Sequence, residues 1–379
     1  MSDAYIAGYV RTPFAPATRG ELKRVRPDDL AAQVVRALVE RTGVDTADVE
    51  DLIVGCAFPE GEQGLNIARL VGFLADLPQA VAGATVNRFC GSSMQSIHMA
   101  AGAIAMGAGD AFICAGVESM SRVPMAGFNP LPNPRLYAAM PEAYIGMGDT
   151  AENVARKYQL TREAQEAFSV TSQQRAGQAW AEGRFDEEVC PVVDGQTTVL
   201  ARDSTVRSDT SPEGLAGLSP SFQADGTVTA GTSSPLTDGA AAVLVVSERY
   251  AERVGMTPLA RIKAVAVAGC APEIMGIGPV AATKKALARA GLAADDLDVV
   301  ELNEAFASQS LACIQDLALD PERVNLDGGA IALGHPLGAT GARITGKAAS
   351  LLVRERGRYA LSTQCIGGGQ GIATILEAV

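Results

Sequence analysis

Apolar positions along this chain switch period repeatedly, between continuous or alternating runs of four to six residues and longer stretches with one apolar face every third or fourth residue. The switches follow a regular order: helix, Gly turn, acidic turn, strand, helix, strand, Gly-rich turn, long helix, Gly turn, strand. That order occurs twice. A fixed offset of 248 residues lays residues 30–119 on residues 278–367 without a gap, placing Gly43 on Gly291, Asp48 on Asp296 and Gly109 on Gly357. The predicted strands at 51–56 and 111–115 fall on those at 298–303 and 359–363. A duplicated βαβα pattern calls for sheets with parallel strands covered by helices.

The segment between the copies reads differently. Residues 120–148 are rich in Pro, Gly and Met, helices are expected at 149–158 and 161–182, and residues 202–226 turn polar. Thr161 suits a helix N-cap, with Glu163 in the first turn to meet the helix dipole. The chain returns to the first copy through a buried strand at 238–246. The organisation expected is a first half of residues 1–118 plus 236–257, an inserted loop domain at 119–235, and a second half at 258–379.

Three turns carry chemistry. Asn87-Arg88-Phe89-Cys90-Gly91-Ser92-Ser93 ends a strand and opens a long helix, Gly334-His335-Pro336-Leu337-Gly338 opens the matching helix of the second copy, and Cys365-Ile366-Gly367-Gly368-Gly369 ends its last strand. A cysteine beside a helix N-terminus is favoured as thiolate and reads as a nucleophile. His335 can donate to a carbonyl oxygen or accept the thiol proton, Gly367–Gly369 let backbone N–H groups approach a substrate, and Cys365 can shuttle a proton if its pKa stays near neutrality. If the copies pack about a pseudo-twofold axis, the loops before the two long helices meet there. Taken singly each residue also has a structural reading, Cys90 and Cys365 as small buried hydrophobes. Asn303-Glu304-Ala305-Phe306 closes a strand of the second copy, where Asn303 could orient a water and Glu304 anchor the loop. His98, two turns along the helix from Cys90, reads as a packing residue, the other five cysteines as structural, and Arg19–Arg26 as a solvated loop.

Composition narrows the setting. The chain has 379 residues, 47% hydrophobic and 20% charged, and no apolar run long enough to span a bilayer. A net charge of −12 argues against nucleic acid and anionic membranes as default partners, although local basic residues can still hold an anion. Seven cysteines without a CxxC pair, and no visible targeting segment, point to a reducing cytoplasm. With only two histidines, a dedicated zinc site is not expected.

In this order and spacing, the Cys90, Asn303-Glu304-Ala305-Phe306, His335 and Cys365 blocks resemble the signature blocks of the thiolases. Gly116–Ser121, Thr150–Ala155 and Thr229-Ala230-Gly231 extend the resemblance over essentially the whole chain. It implies a five-layered α/β/α/β/α fold built from two βαβαβαββ halves, with an inserted loop domain that receives coenzyme A. It implies an acyltransferase that cleaves 3-ketoacyl-CoA with coenzyme A, of the degradative type used in fatty acid β-oxidation, with acyl-CoA and coenzyme A as substrates and no permanently bound cofactor. By the same resemblance Cys90 is acylated, Cys365 moves protons, and His335 with a water on Asn303 steadies the thioester enolate. The N–H groups of Cys90 and Gly367 form a second oxyanion hole. Arg207, Ser234 and Phe306 match positions that contact the coenzyme, and family members are usually dimers or tetramers, with a β-oxidation partner subunit in some. Where short-chain biosynthetic relatives carry histidine before Met-Gly, this chain has Gly146, and Gly214 replaces a coenzyme-loop serine of some relatives. Gly146 implies room for acyl chains longer than four carbons. The alternatives are acetoacetyl-CoA synthesis from two acetyl-CoA molecules, or a non-catalytic acyl-CoA-binding or redox protein using Cys90 and Cys365.

Overall fold

The computed structural model describes residues 2–379. The first half contains β1 (Ala4–Arg11), β2 (Ala15–Pro16), α1 (Pro27–Thr42), β3 (Asp51–Gly55), α2 (Ile67–Leu74), β4 (Ala82–Val86), α3 (Ser92–Ala105) and β5 (Ala111–Ser119). The middle segment contributes α4 (Pro134–Ala139), α5 (Met147–Lys157), α6 (Arg162–Ala181), a hairpin of β6 (Val192–Asp194) and β7 (Thr197–Leu200), and α7 (Pro212–Ala216). The chain then re-enters the first half as β8 (Thr237–Ser247) and α8 (Glu248–Val254). The second half follows as β9 (Ala260–Gly269), α9 (Gly278–Ala290), β10 (Val299–Leu302), α10 (Ala307–Leu317), α11 (Ala330–Leu333), α12 (Leu337–Glu355), β11 (Tyr359–Ile366) and β12 (Gln370–Glu377).

The strand order β10-β11-β12-β9-β1-β8-β5-β3-β4 reads almost as a palindrome about the short β1–β9 pairing at Tyr5–Ile6. In each half two parallel strands (β3 with β5, β10 with β11) are followed by antiparallel ones. The alternation along β8 shows how the layers form: Ala240, Ala242, Leu244 and Val246 pack outward with α1 and α2, whereas Ala241, Val243 and Val245 pack inward with α3 and α12. On the second half, Ala373 and Ile375 of β12 face α9 and α10. The helix pair α3 and α12 is thus a middle layer between two half-sheets, and α1–α2 and α9–α10 are the outer ones. This is the five-layered α/β/α/β/α arrangement that the sequence implied.

The gapless duplication holds for α1 and α9, whose C-caps Gly43 and Gly291 both adopt positive φ, for β3 and β10, for α3 and α12, and for β5 and β11. It fails in between. The offset lays β4 on α11, but the strand that should flank β10 is reduced to a single bridge between Val300 and Val324. Arg19–Arg26 also departs from a free loop: Leu22 is buried in a short 3-10 turn, and Arg26 precedes α1 and pairs with Asp28 and Glu62.

Close approach at the centre depends on glycine. A Cβ on Gly341 of α12 would lie 2.2 Å from the Met94 amide of α3, and one on Gly116 of β5 would lie 2.1 Å from the Gly338 carbonyl oxygen. Any side chain there would push apart the two helices whose N-termini carry the reactive turns. Glu118 closes the junction. Its buried carboxylate accepts hydrogen bonds from the N–H groups of Ala57, Phe58 and Gly338 and from the Gln63 amide, so the first turn of α12 meets a carboxylate that also ties down the loop after β3.

Candidate active site

Cys90 occupies a constrained turn. Asn87 Oδ1 accepts the Phe89 N–H at 2.8 Å, the Ser92 hydroxyl accepts the Arg88 N–H at 2.9 Å, and Phe89 is held at φ +43°, a left-handed value uncommon for an aromatic residue. Gly91 is the N-cap of α3, so Cys90 precedes the helix. A Cβ at Gly91 would stand 2.6 Å from Ile366 Cδ1, which explains how the second half reaches this turn. The N–H groups of Gly367 and of Cys90 itself act to lower the Cys90 thiol, yet desolvation outweighs both and pushes it up to about 11. Against the expected thiolate, desolvation of this partly buried sulfur favours the thiol in the resting state.

His335 follows α11 and Gly334, whose φ of +99° turns the chain toward the centre. Its N–H donates to Thr237 Oγ1 at 3.0 Å, Nδ1 lies 2.7 Å from Thr340 Oγ1, and Nε2 lies 3.3 Å from Asn303 Nδ2. Asn303 is fully buried at the end of β10, with its N–H on the Thr363 carbonyl oxygen and its Oδ1 without a partner among the described residues. Burial, with Arg343 adding repulsion, drops the imidazole to about 3, so His335 is neutral at pH 7. Cys90 packs against the cluster that contains Leu337, two residues beyond His335.

Cys365 ends β11 with no exposure, amid Ala151, Val228, Met275, Phe306 and the thioether of Met147. Its pKa is well above the ordinary thiol value because it is desolvated and faces Cys90, so the near-neutral pKa set as the condition for its proton shuttling is not met in the resting state. The adjacent Gln364 amide donates to the Cys90 carbonyl oxygen, and Arg88 reaches Gln370 Oε1 at 2.9 Å, so the two cysteine turns are tied together. Cys90, Cys365 and Gly367 thus share one desolvated centre, and the buried pair His335–Asn303 lies next to it through Leu337, against whose cluster Cys90 packs. At such a centre a lone thiolate or imidazolium is disfavoured, and each becomes tolerable opposite the other.

Of the residues expected to meet the coenzyme, Ser234 and Phe306 lie together. The Ser234 N–H and hydroxyl donate to the Ala305 carbonyl oxygen at 3.0 and 3.1 Å, and Ser233 bridges to Phe306. Phe306 stacks edge-on against Phe222 at 5.9 Å. Arg207 is exposed, its guanidinium makes no ion pair among the described residues, and its N–H is held by Gln173 Oε1 at 2.7 Å. Arg162 of α6 donates to the carbonyls of Leu215, Ala216 and Leu218 and so clamps α7. Glu304 accepts from the Ser172 hydroxyl, Asn325 and the Ile331 N–H, so it anchors its loop and does not face a substrate. His98 shares a hydrogen bond with Thr374 of β12 at 2.8 Å and is likewise a link between halves.

Four residues at the centre escaped sequence reading: Thr340, Gln364, Glu118 and Met147, whose Sδ lies 3.5 Å from where a Cβ on Gly367 would be. The GHPLGATG run held a signal for Thr340, because a hydroxyl five residues after a histidine that opens a helix lies within reach of the ring. A cleft of about 1080 Å³ lined by Tyr9, Arg41, Arg184, Lys347 and Arg354 lies elsewhere and contains none of these residues. Among the described residues no group of three or more His, Cys, Asp or Glu side chains is placed to hold a metal ion.

The family model "Thiolase, N-terminal domain" matches residues 4–249, and "Thiolase, C-terminal domain" matches residues 256–378. Among curated proteins, the chain is similar to proteins named 3-ketoacyl-CoA thiolase from Bacillus subtilis (47% identical over 389 residues), Pseudoalteromonas translucida (48% over 388) and Shewanella frigidimarina (48% over 391), with complete coverage of both chains in each case.

Proposed function

Since the chain belongs to the thiolase family, and is therefore an acyltransferase acting on coenzyme A thioesters, we propose that it works through an acyl-Cys90 intermediate. It cleaves 3-ketoacyl-CoA with free coenzyme A to acetyl-CoA and an acyl-CoA two carbons shorter, the chain-shortening step of fatty acid β-oxidation. The observation that supports the mechanism is the meeting of both cysteines and the Gly367 N–H at one desolvated centre, with Cys90 packed against the cluster of Leu337, two residues beyond His335.

The Cys90 thiol gives its proton to His335 as sulfur attacks the ketone carbon. Breaking the adjacent carbon–carbon bond leaves the acyl group on sulfur and acetyl-CoA as its enolate. His335 and Asn303 face the enolate oxygen, the atom on which charge develops. Cys365 protonates the enolate carbon and then, as thiolate, takes the proton of the incoming coenzyme A thiol. That thiolate attacks the thioester, and the N–H groups of Cys90 and Gly367 receive the second oxyanion. The segment 119–235 is the coenzyme-receiving insert in this reading, with Arg207, Ser234 and Phe306 along the coenzyme's path. Gly146 supports chains longer than four carbons, because a Cβ there would meet only Asp149 Oδ2, at 3.1 Å.

A second copy of the chain fits the free edge of β4, a half-exposed strand flanked by Leu65, Leu70, Phe73 and Met99, all exposed. All seven cysteines are unpaired, which supports a reducing compartment such as the cytoplasm, and no helix among the described residues is long and apolar enough to cross a membrane.

The test is coenzyme-A-dependent thiolysis of 3-ketoacyl-CoAs from four to sixteen carbons, with Cys90→Ala alongside and mass spectrometry of the quenched enzyme. Turnover that rises with chain length, an acyl adduct on Cys90 and an inactive variant are expected. Activity on the four-carbon substrate alone would indicate an acetyl-CoA acetyltransferase, and an active Cys90→Ala would sink the covalent mechanism.

A further inference from the structure

The hydroxyl of Thr340 has one hydrogen, and its place in α12 commits it. Oγ1 lies 3.0 Å from the Pro336 carbonyl oxygen, one turn back, and donates to it. Its other contact, 2.7 Å from His335 Nδ1, can then only accept. Nδ1 must carry the hydrogen, and in a neutral imidazole Nε2 keeps the lone pair. The opposite side of the ring agrees. The group facing Nε2 has to be a donor, and it is the Asn303 amide nitrogen, 3.3 Å away, which leaves Asn303 Oδ1 unpartnered.

We infer that Thr340 is a positioning residue that holds His335 in the Nδ1–H tautomer, so that Nε2 begins as a base and becomes an oxyanion donor only by taking the proton of Cys90. The inference rests on the acyl-Cys90 reading and deepens it. One transfer, in which the Cys90 S–H bond breaks and an Nε2–H bond forms, creates both the nucleophile and the donor that the departing enolate needs. When the second tetrahedral intermediate collapses, the Cys90 thiolate recovers that proton from Nε2, and the cycle closes with no net gain or loss at either residue. Before the transfer, bare Nε2 offers nothing to a bound carbonyl oxygen, so donor and thiolate appear together.

With only His98 and His335 in the chain, the tautomer can be read directly. Two-bond ¹⁵N–¹H correlation spectra of ¹⁵N-histidine-labelled protein, assigned with His98→Gln, are expected to show His335 protonated at Nδ1 and bare at Nε2. Thr340→Val removes the acceptor, and a buried Nδ1–H without a partner is costly, so the proton shifts to Nε2, where Asn303 can present its oxygen. In that variant kcat and the rate of Cys90 alkylation by iodoacetamide fall about 100- to 10,000-fold, the scale expected when a catalytic histidine is held in the wrong tautomer. KM for the acyl-CoA stays within about twofold, because the loss is in the reacting state. Thr340→Ser restores tautomer, alkylation and turnover. Wild-type His335 protonated at Nε2, or a Thr340→Val protein with unchanged tautomer and alkylation, would overturn the assignment. Full activity of Cys90→Ala would instead remove the acyl-enzyme reading and leave the tautomer measurement standing.

Discussion

In the proposed reading position 146 sets the room for the acyl chain, because it immediately precedes Met147, whose thioether lies against Gly367. Gly146→His places an imidazole there and selects for short substrates. The ratio of kcat/KM for the four-carbon substrate over a twelve-carbon one should rise by about tenfold or more, about 1.4 kcal/mol of lost discrimination, in steady-state thiolysis. An unchanged chain-length profile would place the acyl chain elsewhere. The reactive residues themselves were legible, since cysteine and histidine in glycine-bordered turns are chemically distinctive. Their ionisation was not. Cys90 was expected as a thiolate and Cys365 was given a proton-moving role on the condition of a near-neutral pKa, and desolvation raises both thiols. Thr340, Gln364 and Met147 carry no such mark, because their importance lies in what they touch across the fold.

Between elements, α3 is fastened to the second half through His98 and Thr374. His98 and His335 both fall to about 3 from the ordinary 6.5, burial being the larger cause in each. Below pH 6.5 the unfolded chain takes up protons that the folded protein refuses, so this stability is fully present above 6.5 and is lost as pH falls toward 3. Glu301 works in the opposite sense. Burial outweighs the lowering effect of the Arg343 ion pair and raises it from 4.5 to about 7, so its contribution is present below 4.5 and lost as pH rises through 7. His98→Gln should therefore flatten the acid side of the stability profile by up to about 1.4 kcal/mol per pH unit, measured by urea unfolding between pH 4 and 7. Parallel profiles for variant and wild type would show that His98 is protonated in the fold. The elements were mostly visible beforehand: Thr161 caps α6 by accepting the Ala164 N–H at 3.2 Å, and the strands expected at 51–56, 111–115, 298–303 and 359–363 are all present. The gapless repeat broke around α10 and α11, where the second half has a lone bridge at Val324 instead of a third parallel strand. Periodicity marks an element's type and cannot show that a paired strand has been reduced.

For the whole molecule, the proposed pairing of two copies along β4 would make Met99, exposed on α3, a sensitive position. Met99→Lys should move sedimentation equilibrium toward the monomer, and an undiminished dimer would place the interface on another face. What the sequence determined by itself was local or repeated: the period of each element, the caps, the duplication, and the residue types able to do nucleophilic and acid–base chemistry. These need only neighbours a few positions away. The tertiary structure decided how β1 and β9 join the half-sheets, how glycines let α3 and α12 meet, and how Gly367 comes to the Cys90 sulfur from far along the chain. It also decided the protonation of every reactive group, because pKa and tautomer follow from desolvation and from hydrogen-bond partners brought together by folding, such as Cys365 facing Cys90 and Asn303 facing His335.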